Sequence, residues 1–192
     1  MKNKIENTDQ RTWLLRHSLF TQSFILLLSV LWINISPKDN VLKYFIKFNF
    51  QLFLKGLLTG LGLALAGYIF YLFAKKIKML HSAVELFEKI LAPLYNSLKI
   101  PDIFFLSFVA AFCEETFFRG LILTNFGLII SSITFGIVHL PGTKYWIYAL
   151  WATLSGALLG WLFMLTGSLW LPILAHAINN IIGMFMLKKL FR

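Results

Sequence analysis

The sequence predicts an all-α fold: a polytopic membrane helical bundle of about six transmembrane helices plus an amphipathic interfacial helix. Three observations predict it. The 192 residues are 58% hydrophobic and only 14% charged, with a mean hydropathy of +0.75, more apolar material than a soluble domain of this size needs. Apolar runs of membrane-spanning length follow one another along the chain. The basic residues lie between those runs, where membrane topology places them.

Each element has its own signal. Residues 19–35 form the first span, preceded by Arg11 and Arg16, interrupted by the polar Gln22 and Asn34, and ended by Pro37. The basic start resembles a signal peptide, but Asn34-Ile35-Ser36-Pro37 is not a small-x-small cleavage site, so an uncleaved span is expected. Residues 41–51 mix Lys43 and Lys47 with Tyr44, Phe45, Phe48 and Phe50, the pattern of an interfacial lead-in. The second span is 52–74, with Gly56 and Gly60 four apart for close helix contact. Lys75, Lys76 and Lys78 close it. Leu80, Val84, Phe87, Leu91, Leu94 and Leu98 then mark one face of an amphipathic helix, with Glu85, Glu88 and Lys89 on the other side and Pro93 interrupting it. The third span is 103–123. The fourth, 126–140, is short for a crossing, and a helix ending inside the protein is expected there. Spans five (146–165, with Gly156 and Gly160) and six (169–187, closed by Lys188, Lys189 and Arg192) complete the chain. The organisation is an N-terminal membrane region, 1–100, and a core of four helices, 101–192, together one membrane-embedded unit.

The net charge of +10 does not signal nucleic acid, because no basic face or nucleic-acid-binding motif is present. With six crossings and a cytoplasmic N-terminus, one side holds Lys2, Lys4, Arg11, Arg16, Lys75, Lys76, Lys78, Lys89, Lys99, Lys144, Lys188, Lys189 and Arg192, the other only Lys38, Lys43, Lys47 and Lys55. That asymmetry predicts both termini in the cytoplasm. The single cysteine, Cys113, rules out an intrachain disulfide.

Burial selects the chemistry. Of eight acidic residues only Glu114 and Glu115 lie deep in an apolar span, and of four histidines only His139 and His176 do. A charge at the centre of a membrane helix costs about 2.5 to 3.5 kcal/mol on insertion scales, so these groups need a partner or a task. At about 1.5 Å rise per residue, Glu114, His139 and His176 can all reach the middle third of a core about 30 Å thick. Glu115 and Arg119 are i and i+4 and can pair along one face, leaving Glu114 to point about 100° away. His176 and Asn180, and Phe135 and His139, share the same spacing. Phe117, Phe118, Trp151 and Trp161 read as packing or interfacial residues, and Cys113 as a small buried thiol rather than a nucleophile.

Glu114-Glu115-x-x-x-Arg119, Phe135-x-x-x-His139 and His176-x-x-x-Asn180, with the run from Gly167 through Leu169-Trp170-Leu171-Pro172 to His176, resemble the three ordered motifs of the CPBP intramembrane proteases. That family includes type II CAAX prenyl endopeptidases and bacteriocin-processing and self-immunity proteins. The resemblance covers about residues 103–187. It implies that Glu114 and His139 activate a water for attack on a peptide carbonyl, and that His176 and Asn180 stabilise the oxyanion. Glu115 with Arg119 would act as a structural brace. A carboxylate beside an imidazole is a competent general base, and a histidine with a carboxamide can aim preorganised donors at developing charge.

No cofactor is favoured. The alternative is zinc held by Glu114, His139 and His176, although no His-Glu-x-x-His is present. Rival functions are a transporter or proton relay, which would show an inverted repeat or paired broken helices, neither of which is found, and a non-catalytic membrane chaperone or immunity protein, which would have lost a motif residue. The expected partners are membrane lipid and a peptide or lipidated-protein substrate. The expected location is the bacterial cytoplasmic membrane.

Overall fold

The computed structural model describes residues 2–36 and 41–191, with side chains from residue 8 onward. Met1, Pro37, Lys38 and Arg192, and the side chains of Lys2 and Lys4, lie outside the described residues. The chain is a helical membrane bundle. Helix α1 (Lys2–Ile35) leads into the short α2 (Lys43–Ile46) and the long α3 (Phe50–Ala74). A 3₁₀ turn precedes α4 (His81–Glu85), a π turn (Leu86–Leu91) and α5 (Ala92–Ser97). Helix α6 (Ile100–Glu115) passes through a second π turn (Thr116–Leu123) into α7 (Thr124–Val138), and α8 (Trp146–Thr166) and α9 (Trp170–Leu190) follow. Among the described residues, five helical stretches are long and apolar enough to cross a membrane: Thr8–Ile35, Phe50–Ala74, Ile100–Val138, Thr143–Thr166 and Trp170–Leu190.

The third of these stretches contains both the third and fourth spans expected from the sequence. Gly127 has φ 83° and ψ 173°, a conformation that only glycine adopts without strain. Phe118 and Phe135 would be about 26 Å apart on a straight helix. Instead their rings meet at 5.1 Å, and the Ser131 hydroxyl donates to the Phe118 carbonyl at 2.8 Å. The chain therefore reverses at Gly127. The part of α7 beyond it spans only about 16 Å, roughly half of the hydrocarbon core, so the fourth span is a half-length helix.

Glycines let the helices close up. A Cβ on Gly60 of α3 would lie 2.7 Å from the Ala175 carbonyl oxygen of α9, and one on Gly160 of α8 would lie 2.6 Å from Leu128 of α7. Both pairs of glycines read from the sequence thus mark close helix approach. Residues 41–49 differ from a surface lead-in. Val41 is 1% exposed, in a core with Leu121, Leu169 and Ile173. Leu169 N–H donates to Tyr44 O, Trp170 Nε1 to Phe45 O and the Ser168 hydroxyl to Lys47 O, which tie this segment to the start of α9.

The amphipathic stretch also packs on the bundle rather than floating beside it. Its π turn displaces the expected stripe: Ala83, Leu86, Ala92 and Leu98 are buried, while Val84, Phe87, Leu91 and Leu94 are half-buried. Pro93 lies just past the π turn inside one continuous helix, where its missing N–H interrupts the ladder that the Ala92 N–H still makes to the Phe87 carbonyl. Glu85 and Glu88, on the other side of the stripe, bind neighbouring helices. Tyr71 donates to Glu88 at 2.7 Å, Lys75 lies 3.5 Å from Glu88, and Lys144 pairs with Glu85 at 2.6 Å. Lys188 donates to the Asn96 and Leu98 carbonyls, and Arg11 makes a two-pronged contact with Asp102 at 2.6 Å on both oxygens. Arg11, Lys75, Lys144 and Lys188 therefore gather around residues 81–102 at one end of the bundle.

Candidate active site

Glu114 and Glu115 end the regular part of α6, where the chain enters the π turn. The two carboxylates diverge, as their spacing requires. Glu115 is fully buried, and its Oε1 accepts from Arg119 Nη1 at 3.0 Å. Arg119, also fully buried, donates from Nη2 to the Gly156 carbonyl at 3.1 Å and lies with Cζ 4.3 Å from the centre of the Phe135 ring. The glycine at 156 makes room for this, since a Cβ there would approach Phe135 at 3.1 Å and Arg119 at 3.2 Å. A pair so enclosed is a costly thing to break, because either charge alone would be left in an apolar interior.

Glu115 has a second partner that spacing alone did not disclose. Its Oε1 also accepts from His176 Nδ1 at 2.8 Å, across from α9. That contact places the proton on Nδ1 and turns Nε2 toward Glu114. The brace between Glu115 and Arg119 thus also orients an imidazole.

Glu114 faces the opposite way. Its Oε1 accepts from Gln22 Nε2 at 2.8 Å, and its buried Oε2 makes no protein hydrogen bond. Oε2 lies 3.6 Å from His139 Nε2 and 4.0 Å from His176 Nε2. His139 caps α7, and its Nδ1 donates to the Phe135 carbonyl at 2.7 Å, which leaves Nε2 directed at Glu114. The half-length α7 explains this placement, since a helix ending at mid-depth sets its last residue level with a carboxylate in the middle of α6. Phe135 packs beside both imidazoles, with ring centres 4.3 Å from His139 and 5.9 Å from His176.

These groups line one cavity of about 380 Å³. Glu114, Phe135, His139, His176 and Asn180 all border it, so three separate helices deliver the candidate residues to one space, while Glu115 and Arg119 stand behind the wall. Tyr68 and Tyr71 of α3, Phe87, Tyr95 of α5, and Tyr148 and Trp151 of α8 form the rest of its aromatic lining. Burial raises the Tyr95 phenol above its ordinary range, so that it stays a neutral donor. Sequence reasoning singled out neither this lining nor the Gln22 contact with Glu114. The one available signal for Gln22 was a carboxamide within an apolar span.

Zinc would need its donors closer together. Donors on a tetrahedral zinc with bonds near 2.1 Å are spaced by about 3.4 Å. The distance between Glu114 and His176 is wider, and among the described residues no three His, Cys, Asp or Glu side chains are grouped to hold a metal ion.

Comparison with known proteins bears on the same part of the chain. The model of the type II CAAX prenyl endopeptidase Rce1-like family matches residues 96–182. The uncharacterized protein YpbD of Bacillus subtilis (strain 168) is 35% identical over 85 residues, which make up 44% of this chain and 45% of YpbD. The match therefore spans less than half of that relative. No solved structure matches the chain. Residues 96–182, which contain the carboxylates, the arginine, both imidazoles and Asn180 of the cavity and its wall, are thus similar to the type II CAAX prenyl endopeptidase Rce1-like family.

Proposed function

We propose that the protein is an intramembrane endopeptidase that hydrolyses peptide bonds of membrane-associated peptides or lipidated proteins, without a metal. The observation that carries this reading is Glu114 Oε2, buried, without a protein hydrogen bond, and flanked by the Nε2 atoms of His139 and His176 inside a cavity. Glu114 takes a proton from a water held between it and His139, and the hydroxide adds to the scissile carbonyl carbon. His176, its Nδ1–H anchored on Glu115, offers an Nε2–H in its protonated form to the oxyanion, and the Asn180 carboxamide offers a second donor. Collapse of the intermediate breaks the C–N bond. The proton held by Glu114 passes to the departing amine, so one water is consumed and the carboxylate is restored.

The reading places the protein in the bacterial cytoplasmic membrane with both termini cytoplasmic, in contact with lipid. The family match favours prenylated CAAX tails, and bacteriocin or pheromone leaders share the same chemistry. Wild-type protein in proteoliposomes is expected to cleave a quenched fluorescent prenylated CAAX peptide, and Glu114→Ala and His139→Ala to reduce turnover to background with folding retained. Full activity in Glu114→Ala would sink the mechanism. Where the CAAX peptide is not cleaved, comparing membrane peptides from cells with intact protein and with Glu114→Ala identifies the substrate, and identical peptide sets refute the proteolytic reading. Loss of activity on chelation, with zinc found by elemental analysis, would overturn the metal-free mechanism.

A further inference from the structure

Gln22 lies on α1, outside the family-matched segment, and is buried with Glu114. Its Nε2 reaches Glu114 Oε1 at 2.8 Å from 92 positions away in sequence. Because a carboxylate accepts only, the N–H side of the amide must face it, which fixes the orientation of the amide. The contact makes the two carboxylate oxygens unequal. Oε1 is occupied by Gln22, and Oε2 is the oxygen turned toward both imidazoles. Terminal torsions of glutamate are broad and roughly two-fold, so without a donor on one oxygen the carboxylate has no fixed plane.

Helix α1 is itself held in register with α6. Arg11 grips Asp102 with two contacts of 2.6 Å, and Gln22 grips Glu114 farther along the same two helices. The two tie points are separated by about 16 Å on α1 and about 18 Å on α6. The helices therefore run side by side in the same direction, joined at two levels. The lower tie sets the height at which the upper donor meets the carboxylate.

We propose that Gln22 is a positioning residue for the reaction, holding Glu114 so that Oε2 faces the water and the scissile bond. This rests on Glu114 being the general base. A misplacement of about 1 Å in a reacting group costs on the order of 100-fold in rate. Gln22→Leu is therefore expected to lower kcat by about 10- to 100-fold, with KM within twofold of wild type and the melting temperature preserved. In Gln22→Glu the introduced carboxyl donates to Glu114 only while protonated, so activity is expected at the acid end of the pH profile and to fall away as pH rises, where the wild type remains active.

The assay uses full-length protein in proteoliposomes with the prenylated CAAX peptide, or with the peptide identified by membrane comparison. Wild-type kcat in Gln22→Leu, a loss expressed in KM alone, or a Gln22→Glu profile parallel to wild type overturns the positioning role while an inactive Glu114→Ala leaves the protease reading intact. An active Glu114→Ala instead removes the reading on which the role depends. Where Gln22→Leu fails to fold, the Gln22→Glu profile decides.

Discussion

Replacing Arg119 by leucine is the sharpest test of the architecture. The substitution removes the Nη1 bond to Glu115, the Nη2 bond to the Gly156 carbonyl and the contact with the Phe135 ring, and leaves Glu115 buried beside His176 alone. Breaking a buried ion pair by deleting one partner costs about 3 to 5 kcal/mol, most of it from the charge left behind. Losing the carbonyl bond adds about 1 kcal/mol. Arg119→Leu is thus expected to lose stability by about 4 to 6 kcal/mol, read as a fall in the denaturation midpoint in detergent micelles or bicelles. Arg119→Leu combined with Glu115→Leu removes the orphaned charge, so much of that loss should be recovered. Activity should not return with it, because His176 Nδ1 has lost its acceptor. A single variant as stable as wild type, or a double variant that regains turnover together with stability, would refute the assignment of Glu115 as both brace and imidazole anchor.

Two further outcomes test parts of the fold outside the brace. Gly127→Ala places a side chain in open space, yet the positive φ is strained for any Cβ-bearing residue, so a loss of about 1 to 3 kcal/mol is expected without a steric clash; an unchanged denaturation midpoint would show that the reversal does not need this conformation. At the end of the bundle, the Lys144 ammonium hydrogen-bonded to Glu85 holds that carboxyl below its usual value near 4.5. A depressed carboxylate contributes stability that is present above the unfolded value and lost as pH falls through the folded one, so the melting temperature should decline below about pH 4.5 and Glu85→Gln should flatten that part of the profile. An identical acid limb in Glu85→Gln would remove the pair from the account.

The sequence made the site legible because the membrane filters it. In an apolar chain, each buried titratable group stands out by its cost, so Glu114, Glu115, Arg119, His139 and His176 could be found by elimination. Periodicity alone gave the pairing of Glu115 with Arg119. The contact between Glu115 and His176 joins two helices whose relative rotation no local spacing specifies. Gln22 was visible as a polar interruption of the first span, but its partner lies 92 residues away. The reversal between the third and fourth spans was expected near 124–125, but nothing marked Gly127 as the residue that carries it, and the stripe from Leu80 to Leu98 was displaced by a π turn, which adds residues to the turn and lowers the rotation per residue. Spacing arguments assume 3.6 residues per turn, and they failed where the helix departs from it.

The half-length α7 has a consequence for hydration. Because the helix stops at mid-depth, the remaining distance to the charged end of the bundle is covered by residues 139–145, whose Pro141, Gly142, Thr143 and Lys144 are exposed. A full crossing would have sealed this column with apolar side chains. The truncated one instead leaves the connection from His139 to Lys144, which pairs with Glu85, outside any α-helix and exposed at residues 141–144. Hydrolysis inside a bilayer needs its second reactant delivered through hydrocarbon, and a helix that ends early exposes the backbone of residues 141–144 next to His139.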